Sequence, residues 1–182
     1  MVNPNIDVIK HALGRVIYSH KTHEKGKEVN EFIDNAIKWG NVVLVGTTAI
    51  LSYLSLQNPT KYQLPTALFS AFSLMTLVAQ LSFRPESQAE RHRRTADKLW
   101  LMREKYLNLL TDMQVGMLSD KDVGKLRESL TLEVSMIYGD APNTNSFYYR
   151  LAQNALKLKN EHNFTEDEIN QFLPPSLKSN IN

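Results

Sequence analysis

The 182-residue chain carries 21 Lys and Arg against 19 Asp and Glu, a net charge of +2, and 22% of its residues are charged. That balance leaves little electrostatic footprint for direct nucleic-acid binding, and the absence of cysteine removes disulfides and thiolate metal sites together. A mean hydropathy of −0.33 describes an ordinary soluble domain, but the average hides a segregation of apolar from polar residues.

Met1 to Asn5 begin no signal peptide, because a basic start followed by an apolar core is missing. Ile6, Ile9, Leu13, Val16 and Ile17 recur in a 3-4-3 rhythm that predicts an N-terminal amphipathic helix. A polar run from Ser19 to Glu28 follows, and residues 1–38 are expected to form a cytoplasmic helical segment. His20 and His23 are spaced to meet a metal together, yet no third ligand is indicated, and the simpler expectation is exposed interfacial histidines.

Between Lys38 and Arg84 stand 45 residues with one charge, Lys61. They divide into two uncharged spans of 19 residues, 39–57 and 65–83, each reaching roughly 28 Å as a helix, close to the thickness of a bilayer's hydrocarbon core. Asn58 to Leu64 read as a seven-residue turn, and Pro65 suits the first turn of the second helix. Residues 39–83 are therefore predicted to be a transmembrane hairpin. A buried hairpin in a soluble core would need protein on every side of two helices that lack a charged face. Trp39 and Tyr62 at the span ends suit the headgroup layer.

Lys and Arg crowd both outer flanks, with Lys21, Lys25, Lys27 and Lys38 upstream and Arg84, Arg91, Arg93, Arg94, Lys98 and Arg103 downstream. Both termini are thus expected in the cytoplasm, with the seven-residue turn outside. Within the spans, Asn41, Thr48, Ser52 and Ser55 fall within roughly 60° of arc on one helix. Thr66, Ser70, Ser73, Thr76 and Gln80 fall within roughly 120° on the other. Such stripes serve either close helix packing or, with several subunits around an axis, a wetted lumen.

Past the membrane, residues 84–182 are expected to form a cytoplasmic helical domain. Glu86 to about Met113 hold Ala96, Leu99, Trp100, Tyr106, Leu107, Leu110 and Met113 at helical spacing. Ser119 with Asp122 resembles an N-terminal cap for a helix bearing Val123, Leu126, Leu130, Val134 and Ile137, which Gly139 and Pro142 end. A further helix spans Ser146 to Lys159, and Thr165 with Glu168 opens a last short one that Pro174 and Pro175 close. Arg91, Arg93, Arg94 and Lys98 lie where anionic lipid headgroups or a trigger are within reach; the alternative is a solvated face paired with Glu90, Asp97 and Glu104. No phosphate loop, nucleophile elbow or Cys nucleophile is present, so no catalytic residue, cofactor or metal is assigned.

The hairpin followed by Arg91-His92-Arg93-Arg94-Thr95-Ala96-Asp97-Lys98-Leu99-Trp100, then Arg103 to Leu107, Ile137-Tyr138, Ala141-Pro142 and Thr144, resembles the SLATT proteins. Tyr149, Ala152, Ala155, Phe172-Leu173-Pro174 and Ser176-Leu177 extend the likeness over most of the chain. It looks most like the subfamily associated with reverse transcriptases. The resemblance implies a cell-suicide effector that forms pores in the bacterial inner membrane, encoded beside a phage-detecting partner, either a reverse transcriptase or a cyclic-oligonucleotide synthase. Two helices enclose no lumen, so conduction would require a homo-oligomer. The resemblance implies no catalytic residues. Asn143 stands where the family pattern has a basic residue after the Ala-Pro pair. The alternative is a membrane anchor that docks such a partner without forming a pore.

Overall fold

The computed structural model describes residues 4–158 and is all-α: α1 Pro4–Gln57, α2 Pro59–Phe83, α3 Pro85–Gln114, α4 Asp120–Asp140 and α5 Ser146–Leu158. The expected helix opened by Thr165 lies outside the described residues.

The largest departure from expectation is α1. The amphipathic segment, the polar run and the first span are one helix of 54 residues, about 80 Å long. The polar run stays helical because its charges pair along the helix, Lys21 with Glu24 at 2.8 Å, Lys25 with Glu28 at 2.9 Å and Lys27 with Glu31 at 3.7 Å. The boundary expected at residue 38 thus falls inside a continuous rod.

The connection between the spans is also shorter than expected. Pro59 occupies the first turn of α2, where its missing N–H costs nothing, so Asn58 alone joins the helices. Asn58 donates its N–H to the Leu54 carbonyl at 3.0 Å and accepts from the Lys61 and Tyr62 N–H groups at 3.3 Å. Pro65, expected to start the second helix, lies inside it. Pro65 offers no N–H to the preceding turn, and next to it Thr66 Oγ1 donates to the Tyr62 carbonyl at 2.8 Å.

Arg84 separates α2 from α3 in the left-handed conformation, φ 46° and ψ 56°, and Pro85 starts α3. Two residues thus break the helix cleanly, one by its conformation and one by its ring. Beyond the break α3 continues antiparallel to α1, so contacts descend α1 as the numbers rise: Asn41 meets Thr76, Asp34 meets Gln80, His23 meets His92 and His20 meets Ala96.

The hydrophobic core outside the hairpin gathers Ile9 and Val16 of α1, Leu99, Met102, Tyr106 and Leu109 of α3, and Val123 and Leu130 of α4. Met102 and Leu109 were not singled out by periodicity, whereas Trp100 and Leu126 are 39% and 43% exposed. Ser119 caps α4 as expected, accepting from the Asp122 N–H at 3.3 Å. Asn145 caps α5 through its side chain, which accepts from the Tyr148 N–H at 2.9 Å. Ala152 and Ala155 are the buried residues of α5, which packs against α1.

Candidate functional site

Two helices are long and apolar enough to cross a membrane, and none of their apolar windows is buried by protein. Val43, Ile50, Leu56, Leu68, Leu81 and Phe83 stand bare, each more than 60% exposed. A soluble core would cover such faces, whereas hydrocarbon solvates them without cost.

Of the polar stripes of the two spans, Asn41, Thr48, Ser55, Thr66, Ser73, Thr76 and Gln80 are half-buried, while Ser52 and Ser70 are exposed. Thr76 Oγ1 donates to Asn41 Oδ1 across the seam between α1 and α2. Thr48 instead donates to the Leu44 carbonyl of its own helix at 2.8 Å. Ser73 Oγ is buried and finds no hydrogen-bond partner among the described residues, a costly condition in a dry environment.

At the open end of the hairpin, away from Asn58, the seam ends in a polar knot. Asp34 is buried, accepts from Gln80 Nε2 at 3.4 Å, and pairs with Lys38 at 2.7 Å. Lys38 also reaches Glu86 of α3 at 3.3 Å. The two spanning helices and the start of α3 are joined here.

The basic cluster is dispersed over an exposed face. Arg93 and Arg94 both bind Glu90, at 2.8 and 2.7 Å, and Arg93 also reaches Asp97 at 3.4 Å. Hydrogen bonds from Arg93 and Arg94 hold the Glu90 carboxyl down to about 2. Lys98 approaches Asp140 of α4 at 4.0 Å. Arg91 is exposed.

The histidines correct a sequence expectation. His20 and His23 are not exposed but 5% and 4% accessible, wedged between α1 and α3. His20 donates from Nδ1 to the Ala96 carbonyl at 3.0 Å, and Trp100 lies against its ring with centroids 5.4 Å apart. His23 Nδ1 meets His92 Nδ1 at 2.9 Å, so one ring donates and the other accepts. Burial first, then the neighbouring rings of His92 and His20, pushes His23 down to about 4; burial likewise lowers His92. Both rings are neutral at pH 7. Gly26, one turn along α1, leaves the room that the His92 ring fills. Asn30 and Tyr148 of α5 complete the cluster through a 3.1 Å hydrogen bond. No group of three or more His, Asp or Glu arranged for a metal occurs among the described residues.

This cluster was partly legible. His20, His23, Gly26 and Asn30 step by 3, 3 and 4 along one helix face, a pattern that marks a buried polar stripe as readily as an exposed one. Its partner His92 was read only as part of a basic run.

Residues 6–168 match the family model described as SMODS and SLOG-associating 2TM effector domain family 4. The chain belongs to the SLATT family. Neither the curated proteins nor the solved structures yield a match. As a SLATT protein the chain is a membrane effector of the kind found in defence systems, and its two apolar helices supply the two transmembrane segments that the description requires.

Proposed function

We propose that this SLATT chain oligomerises in the bacterial inner membrane, with both termini cytoplasmic, and permeabilises it when a partner or ligand shifts its equilibrium, aborting phage infection. The observation that carries this reading is the continuity of α1. One helix runs from the buried cytoplasmic core to the far side of the first span, so a displacement in one half reaches the other without a hinge. A trigger acts on such a rod only through unequal affinity for two states.

At rest the hydroxyl stripes close on each other through Asn41 and Thr76. Rotation of the hairpins in a ring of subunits would turn Ser73 and its neighbours toward a shared lumen, giving its unpartnered hydroxyl water to bond. Membrane lipids solvate the bare outer faces, and Arg91, Arg93, Arg94 and Lys98 lie on the side available to headgroups or a protein partner. That partner, encoded nearby, is a reverse transcriptase or a cyclic-oligonucleotide synthase.

The half-buried seam favours a second reading, a membrane anchor that docks the partner enzyme, since packed stripes need no lumen. Overproduction separates the two. A pore former depolarises cells, read with a voltage-sensitive dye, and replacing Ser70, Ser73 and Thr76 together by leucine should lower ion leakage by about tenfold or more while membrane insertion persists. Unchanged leakage in the triple variant would discredit the lumen, and no depolarisation under any condition would leave the anchor.

A further inference from the structure

Two grooves share one wall on the cytoplasmic half of α1. The first holds about 310 Å³, and Tyr18, Thr22 and His23 of α1 face Tyr149 of α5 and the 141–144 turn across it. Among the described residues, no Lys, Arg, Asp or Glu lines it. The second opens beside it over Lys10, His11 and Arg15, and again no acidic residue lines it among those described. Tyr18, Ser19, Tyr138 and Tyr149 belong to both.

We propose that the two grooves form one site for a small molecule that carries a planar heteroaromatic ring and an anionic group, the chemistry of a nucleoside monophosphate. The ring binds the tyrosines and the anion binds Arg15 and Lys10.

The aromatic wall is prepared for a third ring. Tyr18 and Tyr149 stack with centroids 6.0 Å apart and an interplanar angle of 28°, yet Tyr149 and Tyr138 remain 48% and 43% exposed. Half-open aromatic faces in a concavity are where a planar ligand gains most from stacking. At the ring's edge stand Asn143 and Thr144, which have no hydrogen bond to any described residue, and their exposed groups offer donors and acceptors to a heterocycle.

The cationic end follows from the register of α1. His11, Arg15 and Ser19 form one i, i+4 row, and Lys10, Gly14 and Tyr18 form the next. Arg15 therefore stands one turn, about 6 Å, from Ser19, a distance that a sugar spans between a base and its phosphate. Gly14 puts no side chain between the rows, and a Cβ built there meets nothing within 4 Å. Lys10 and Arg15 make no ion pair with a described residue, so their charge is available to an anion. Ser19 Oγ and Tyr138 OH, 2.8 Å apart, mark the ridge between the two halves.

The site also touches the machinery of the membrane half. His23 lines the aromatic groove while its Nδ1 meets His92 of α3, so a bound ring ties the 141–144 turn to α1, which continues into the first span. That such a ligand is the trigger rests on the effector reading above; the site itself does not.

The test is equilibrium binding of AMP, GMP, CMP and UMP, of the matching nucleosides and of inorganic phosphate to the full chain in detergent micelles. At least one nucleotide should bind, and more tightly than its nucleoside. Tyr149→Ala should weaken both by about tenfold, and Tyr149→Phe should restore both, which separates stacking from misfolding. Arg15→Ala should weaken the nucleotide by about tenfold and leave the nucleoside unchanged. The proposal is overturned if no nucleotide binds at millimolar concentration, if phosphate alone binds as well as every nucleotide, or if neither variant changes the affinity. Because binding is read without any membrane, a failure of pore formation leaves these results untouched.

Discussion

Replacing Gly26 by leucine should release α1 from α3 and cost about 3 kcal/mol of stability, read as a lowered unfolding temperature of the detergent-solubilised protein. A Cβ at this position would stand 2.7 Å from His92 Nδ1 and 2.8 Å from its Cε1. The ring has nowhere to retreat, since His23 binds it at 2.9 Å on one side and Tyr148 meets it edge-on, centroids 5.5 Å apart, on another. The backbone argues the opposite way, because glycine inside a helix is about 1 kcal/mol worse than alanine. Gly124 of α4 isolates that term: nothing lies within 4 Å of a Cβ there, so Gly124→Ala should raise stability where Gly26→Leu lowers it. If Gly26→Leu melts like the parent, the α1–α3 seam is not held by the histidine cluster.

Acid should loosen the same seam. An unfolded histidine titrates near 6.5, whereas burial and the neighbouring rings put folded His23 at about 4, and burial lowers His92 too. The folded state therefore binds fewer protons than the unfolded state in this window. Stability is at its plateau above about pH 6.5 and falls as pH drops through the folded value. The shift in His23 corresponds to about 3 kcal/mol by pH 4, to order of magnitude. The groups facing the pair are His20 on α1, with Glu24 3.6 Å from its Nε2, Arg91 on α3 and Tyr148 on α5. Arg91 and His20, when charged, oppose a proton on the pair. His23→Gln should flatten the stability profile between about pH 6.5 and pH 4. An equally steep loss in that variant would place the acid sensitivity elsewhere.

The all-α class and the hairpin were legible because near-absence of charge over 45 residues is a strong signal that no local propensity overrides. The α4 cap was legible for a similar reason, as Ser119 and Asp122 act within one turn. Helix boundaries were harder. The polar run from Ser19 to Glu28 shows no apolar rhythm of its own, and its helix is held by paired charges and by α3 covering one face. Pro59 and Pro65 each suit a first turn, and sequence alone did not separate the one that starts α2 from the one inside it. For the site, the stripes showed which residues share a face, but not that Asn41 meets Thr76 across α1 and α2. The histidine cluster and the shared grooves depend on residues from α1, α3, α4 and α5, separations that periodicity along one helix does not report.

The membrane hairpin on which the rest stands is tested most directly by cysteine accessibility, since the chain has no native cysteine. Lys61→Cys, in the first turn of α2, should react with a membrane-impermeant maleimide in intact cells freed of their outer membrane. Asn108→Cys, exposed on α3, should react only after lysis. Protection of Lys61→Cys in intact cells, or labelling of Asn108→Cys before lysis, would contradict a hairpin that crosses the inner membrane with its helical domain inside.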